Sequence, residues 1–258
     1  MLSPIRLTPV VKSLLLACVV LFVVQKTADQ FFGANLLGLL GLVPTRFVFG
    51  FHFWQIFSYV FLHADVGHLV LNGLMLVFLG SELEALWGPR RFLQFFFASA
   101  FAAGVLFLVL VGTVWQEGVS IPLVGASGGI YGLLLAYGIL FAERQMLFMM
   151  IFPMKAKHFV LLLGGVELMT TLYAAQPGAA LSSIAHLGGM LGGWAYLVFA
   201  ARWSQRLTSR HRSEKTGSKR KPSSSHLKLV VTSSSEEASG TKKSSSTDDG
   251  SRDPKSWN

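Results

Sequence analysis

Six apolar runs, each close to the length that a bilayer core requires, decide what kind of fold this chain can adopt. They cover roughly 10–25, 68–87, 92–115, 127–141, 158–175 and 184–203. A helix crossing the hydrocarbon core needs about 20 such residues. The first run is short, and Arg6 and Lys12 around its start would also suit a secretory leader. No small-x-small cleavage site follows in "QKTADQ", so the run is expected to remain a helix. Composition agrees with this class. With 52% hydrophobic and 14% charged residues, and a mean hydropathy of +0.53, there is too little charge to cover a soluble surface. The expected fold is an all-α polytopic membrane protein with six transmembrane helices in residues 1–203 and a tail over 204–258. Between the first two runs, Pro44, Arg46, His52 and several glycines interrupt an otherwise apolar stretch. It reads as a folded loop partly sunk in the outer leaflet, with its aromatic residues at headgroup depth.

The net charge of +9 is uneven. From Arg202 onward there are 13 Lys/Arg and 6 Asp/Glu, while the first 201 residues carry 9 and 7. The basic character therefore belongs to the tail, and a nucleic-acid-binding fold is excluded as its explanation. Basic residues also flank the chain start, the second connection (Arg90, Arg91) and the fourth (Arg144, Lys155, Lys157). The third and fifth connections have none, and the first carries only Lys26 and Arg46. The positive-inside rule then predicts cytoplasmic termini, and a bacterial cytoplasmic membrane is the expected location. The tail, with 16 serines over 204–258, is expected to be disordered. Its basic start suits either adsorption to anionic membrane lipid, at about 1 kcal/mol per basic residue, or a solvated anchor. The single Cys18 excludes an internal disulfide.

Within this frame the polar residues converge. With the amino terminus inside, the second, fourth and sixth helices start at the outer face. His68 and Asn72 open the second, Ser127 opens the fourth, and His186 falls in the expected first turn of the sixth. A serine hydroxyl needs a base before it can attack a carbonyl, and histidine is the natural one near neutral pH. Gly189 and Gly193 share a helix face beside His186 and allow close approach to the small residues of "GASGG". His68 and Asn72, one turn apart, can both donate to a developing oxyanion, as can the amide of Ser127 at a helix start. Taken alone, "GASGG" is more often helix packing than chemistry. The Gly-x-Ser-x-Gly spacing does not indicate an α/β-hydrolase elbow, which requires a strand before the serine. His63 and His68 lack the spacing and the third ligand of a metal site. Glu167, near the middle of the fifth run, is costly there; it could be protonated, bonded to a neighbouring helix, or lining a wet cavity.

These motifs together resemble the rhomboid intramembrane serine proteases. The His-x-x-x-Asn pattern falls on His68 and Asn72. "GASG" matches the nucleophile motif Gly-x-Ser-Gly at Gly125, Ser127 and Gly128. "AHLGGMLGG" matches the Ala-His-x-x-Gly-x-x-x-Gly element with its base at His186. "ELEALWGPRR" resembles the element after the second helix, giving Glu84, Gly88 and Arg90 or Arg91 structural roles. The resemblance covers about residues 10–203 and implies a Ser127–His186 dyad without a carboxylate. It also implies that Tyr131 packs on the imidazole and that His63 supports the site, either through a loop-anchoring hydrogen bond or directly. The implied activity is endopeptidase cleavage in or near a membrane helix of a single-span or other transmembrane substrate, with no cofactor, no metal and no nucleic acid. Two other readings stay open at this point: a non-proteolytic rhomboid-like protein that binds and escorts transmembrane partners, and a small transporter with broken helices.

Overall fold

The computed structural model describes residues 7–114, 118–148, 152–174 and 176–217, with the backbone alone at 147–148, 177 and 203–217. All six apolar runs fall on helices. They are α1 (Pro9–Phe32); α5 (Val66–Met75), which continues through a π-helical turn at Leu76–Gly80 into α6 (Ser81–Trp87); α7 (Pro89–Thr113); α8 (Ser127–Leu140); α9 (Ala156–Tyr173); and α10 (Pro177–Gly217). The first loop contributes α2 (Leu36–Leu40), α3 (Pro44–Val48) and α4 (Gln55–Ser58). The loop between α8 and α9 is an antiparallel hairpin of β1 (Gln145–Phe148) and β2 (Phe152–Lys155), with Gln145 opposite Lys155.

Four of the helices, over Pro9–Phe32, Val66–Trp87, Pro89–Thr113 and Gly178–Arg202, are long and apolar enough to cross a membrane. α8 is apolar but has only 14 residues, about 21 Å against a hydrocarbon core of about 30 Å. α9 has 18 residues, interrupted by Lys157, His158 and Glu167. The six-helix count thus rests on two elements that differ from a standard span.

Three boundaries differ from the sequence reading. α1 is longer than expected because the polar Gln25 and Lys26 continue the helix instead of ending it. Gln25 is fully buried and donates to the His63 carbonyl at 3.1 Å, while Lys26 Nζ donates to the Ala64 carbonyl at 2.7 Å. α10 starts at Pro177, so His186 lies about two and a half turns into it and not in its first turn. The same helix continues to Gly217, past the boundary drawn at residue 203. The remainder of the tail, from 218, lies outside the described residues.

Helix ends follow local chemistry. Pro9 occupies the first turn of α1, and Gly33 closes it in the left-handed region at φ 61°. The amides of that first turn are satisfied from another helix: buried Glu84 accepts from Val10 N at 3.0 Å, from Val11 N at 2.9 Å and from the Thr8 hydroxyl. Asp65 caps α5 by accepting from His68 N at 2.9 Å. Gly88, at φ 79°, followed by Pro89, reverses the chain between α6 and α7.

The core is built around α8, which is buried on nearly every face, as a helix that is hydrophobic all round should be. α7 packs one continuous stripe against it, including Phe92, Phe96, Ala100, Ala103 and Phe107. By contrast, Leu161, Val166, Met169 and Leu172 of α9 and Leu16, Val20 and Val23 of α1 are exposed, an arrangement suited to lipid. The first loop is folded, as expected. Buried Gln55 accepts from Val43 N and donates to the carbonyls of Gly38 and Leu39. Phe31, Phe49 and Phe51 stand exposed.

α8 and α10 meet backbone to backbone through glycines. A Cβ on Gly189 would stand 2.0 Å from the Gly128 carbonyl oxygen, and one on Gly193 would meet Gly132 Cα at 3.1 Å. Gly189→Ala is therefore expected to separate these helices and lower thermal stability by more than about 2 kcal/mol. Gly165→Ala on α9, where a Cβ meets nothing within 4 Å, is expected to be neutral or stabilising by up to about 1 kcal/mol. Melting curves of the two purified variants in detergent check the contrast; similar losses in both would contradict it.

Candidate active site

The α8–α10 contact carries Ser127 and His186 to the same point. Ser127 is the first residue of α8, and its Oγ lies 2.9 Å from His186 Nε2, inside the range for a nucleophile and its general base. Ser127 is only 8% exposed, so bulk water contributes little there. One helical turn on, the Tyr131 ring stacks on the imidazole with centroids 4.1 Å apart and planes 7° from parallel. Tyr131 thus fixes the plane of the ring.

A short irregular segment leads into Ser127. Leu123 exchanges both main-chain hydrogen bonds with Leu42, and Gly125 N donates to the Tyr59 carbonyl at 2.9 Å. The first loop therefore holds the backbone just ahead of the serine. Gly125 has φ 115°, a conformation side chains rarely adopt, and a Cβ there would stand 2.8 Å from the His68 ring and 3.3 Å from Asn72 Nδ2. His68 and Asn72 are thereby aimed at the turn that precedes Ser127. Asn72 Nδ2 is buried with no hydrogen-bond partner, an unused donor of the kind an oxyanion would satisfy. The Ser127 amide, at the first position of α8, has no carbonyl four residues back within the helix.

His63 is placed behind this pocket. Its ring meets the His68 ring edge-on at 5.1 Å, it is completely buried, and neither ring nitrogen makes a well-aligned hydrogen bond. The loop is anchored through the main chain of His63, by Gln25. Burial, and then the neighbouring His68, push its pKa from the ordinary 6.5 down to about 4. The ring is neutral near neutral pH.

Glu167, which had no assignment from the sequence, lies beside His186. Its Oε1 is 3.1 Å from His186 Nδ1 and accepts the Tyr131 hydroxyl. The resemblance implied a dyad without a carboxylate, but here a carboxylate stands on the far side of the imidazole. The contact is short but out of line, so Nδ1 makes no hydrogen bond across it. Ala156, Val160 and Glu167 are the buried positions of α9, so the acid falls on the stripe facing the bundle; the only signal in the sequence was a carboxylate in mid-helix.

The Rhomboid domain family model matches residues 50–203. This chain belongs to the rhomboid family. Over 185 residues it is 23% identical to rhomboid-like protease 3 of Toxoplasma gondii, covering 71% of this chain and 66% of that one. It is 30% identical over 142 residues to rhomboid protein 1, mitochondrial, of Saccharomyces cerevisiae, covering 55% of this chain and 40% of that one. It is 28% identical over 141 residues to a putative rhomboid protease, YdcA, of Bacillus subtilis, covering 55% of this chain and 64% of that one. The matches thus span 40% to 66% of the length of these curated relatives. With its apolar helices, the family makes the chain an integral membrane protein with a polytopic helical bundle. Every motif named above from His63 to Gly193 lies inside the matched region.

A serine this close to an oriented imidazole should react with an electrophile. A fluorophosphonate probe is expected to label the detergent-solubilised rhomboid at Ser127, with labelling lost in Ser127→Ala and reduced at least about a hundredfold in His186→Ala. Peptide mapping of the labelled protein checks the site; undiminished labelling of Ser127→Ala would contradict it.

Proposed function

We propose that this rhomboid is an intramembrane serine endopeptidase that hydrolyses peptide bonds in or near the membrane helices of single-span or other transmembrane proteins. The observation that carries this reading is the 2.9 Å contact of Ser127 Oγ with His186 Nε2, under the stacked Tyr131 ring and next to an unused buried donor on Asn72. In this reading His186 Nε2 takes the serine proton as Oγ bonds to the scissile carbonyl carbon. The carbonyl electrons move to oxygen, where Asn72, His68 and the Ser127 amide donate to the oxyanion. The imidazolium then gives its proton to the leaving amine as the C–N bond breaks, and water releases the acyl group by the same route in reverse. No metal or cofactor enters any step.

α8 and α9 complete a six-helix membrane domain over 1–203 in this reading, with 204–258 as a basic Ser-rich tail on the cytoplasmic side. A short α8 suits the chemistry, because a helix of about 21 Å can start below the membrane surface and hold Ser127 at the foot of a water-accessible recess. Both termini face the cytoplasm, of a bacterium in the favoured case, as the Lys/Arg asymmetry implies. Reporter fusions at residue 203 are expected to report cytoplasmic; external activity there would reverse the orientation.

The enzymatic test is reconstitution with a single-span substrate. Ser127→Ala and His186→Ala are expected to abolish turnover. Asn72→Ala loses one donor of several and is expected to retain about 1% of wild-type turnover. Substrate binding should change little in all three, since the losses fall on the transition state. Wild-type turnover by Ser127→Ala would assign the serine to packing alone.

A further inference from the structure

We propose that Glu167 is a positioning residue for the His186 base: its carboxylate faces Nδ1, holds the proton on that nitrogen and stabilises the imidazolium that forms during attack. The inference rests on the proposed Ser127–His186 chemistry and departs from the expectation of a dyad without an acid.

Three observations converge on it. First, Glu167 Oε1 is 3.1 Å from His186 Nδ1, while Nε2 on the opposite side of the same ring is 2.9 Å from Ser127 Oγ. Serine, imidazole and carboxylate therefore stand in the order that general-base catalysis uses. Second, the carboxylate is itself held. Tyr131 donates its hydroxyl to the same Oε1 while its ring covers the imidazole, and the Ser183 hydroxyl on α10 also interacts with it. One tyrosine thus fixes both the plane of the base and the position of the acid. Third, Glu167 is only 9% exposed on a helix whose other faces present Leu161, Val166, Met169 and Leu172 outward. A carboxylate in such surroundings is costly unless it is paired, and among the partners named here only His186 can carry a compensating positive charge. The Nδ1 contact is out of line in the free enzyme, as catalytic hydrogen bonds often are before substrate binds, and protonation of His186 in the acylation step would draw it straight.

Glu167 supplies a property that His186 and Ser127 alone do not. An imidazole with no Nδ1 partner can carry its proton on either nitrogen, and only one of the two tautomers can accept from Ser127. A carboxylate at Nδ1 selects the useful one.

The test compares the reconstituted full-length wild type with Glu167→Gln and Glu167→Asp, with Ser127→Ala as the control for the underlying chemistry. Glutamine keeps the shape and loses the charge; aspartate keeps the charge and loses reach. A structural role ranks glutamine above aspartate, whereas the proposed role ranks aspartate above glutamine. In soluble serine proteases the isosteric amide at this place costs about 10⁴-fold in kcat. For a contact this oblique, Glu167→Gln is expected to lower kcat about a hundredfold with KM within about twofold, and Glu167→Asp to stay within about tenfold of wild type. Glutamine at or above aspartate, or a raised KM with unchanged kcat, would overturn the proposal while leaving the serine and histidine assignments intact. An active Ser127→Ala would remove the underlying chemistry and this inference together. Should Glu167→Gln not fold, nitrogen NMR of the native protein labelled at histidine decides. A neutral His186 protonated at Nδ1 is expected, and one protonated at Nε2, alongside an inactive Ser127→Ala, overturns the proposal.

Discussion

The backbone contact between α8 and α10 is the constraint on which the rest of the molecule depends. With the Gly128 carbonyl 2.0 Å from where a Cβ on Gly189 would be, no other residue type fits at that crossing without moving a helix. In a bilayer such proximity cannot be driven by hydrophobic burial, because lipid is as apolar as leucine. It comes from packing of small surfaces. The distance between Ser127 and His186 is thus set by missing side chains one residue beyond the serine and three beyond the histidine. α7 supports the same crossing from behind, through Ala100 and Ala103 against the glycine face of α8 and Phe95 under Gly193.

A second layer of constraint acts on the peptide ahead of the serine. α8 begins abruptly, and the main-chain bonds of Leu123 to Leu42 and of Gly125 to Tyr59 tie its approach to the first loop. Gln55 and Gln25, both fully buried, tie that loop to itself and to α1. Each buried amide is satisfied on both its donor and acceptor sides, so these residues carry no unmet polar cost. Asn72 is the exception. Leaving its Nδ2 without a partner costs about 1–3 kcal/mol in the resting protein, a cost relieved if an oxyanion arrives. The contrast between two satisfied glutamines and one unsatisfied asparagine separates scaffold from pocket.

Much of this was legible in the sequence because the signals were local or repeated. Apolar runs located the helices, and the spacing of His68 to Asn72 and of His186 to Gly189 and Gly193 put each set on one helix face. What escaped were features fixed by distant partners. Gln25 and Lys26 look like the end of α1 until the main-chain carbonyls of His63 and Ala64 accept from them. The start of α10 at Pro177 is hidden by the small, weakly apolar residues "PGAALSS", which resemble a loop yet form two turns of helix above His186. The hairpin between α8 and α9 has a strongly apolar sequence, "QMLF" and "FPMK", with no turn signature to mark it. It is fastened by ion pairs that no local pattern announces, from Glu143 to Lys155 and Lys157 and from Arg144 to Glu82.

Among the described residues two carboxylates are buried in the bundle, Glu84 and Glu167, and their partners differ in kind. Glu84 accepts from two backbone amides and a hydroxyl at the start of α1. Those donors are fixed, they cannot change protonation state near neutral pH, and the positive end of the helix dipole compensates the charge. Such an acid holds α6 against α1. Glu167 has no helix terminus beside it. Its partners are a phenol and an imidazole, and the imidazole also touches a serine hydroxyl on its other nitrogen. In the proposed mechanism its charge is best compensated once nucleophilic attack has put a proton on His186. An acid whose compensation improves as the reaction proceeds stabilises the transition state more than the ground state, which is the condition for accelerating a chemical step.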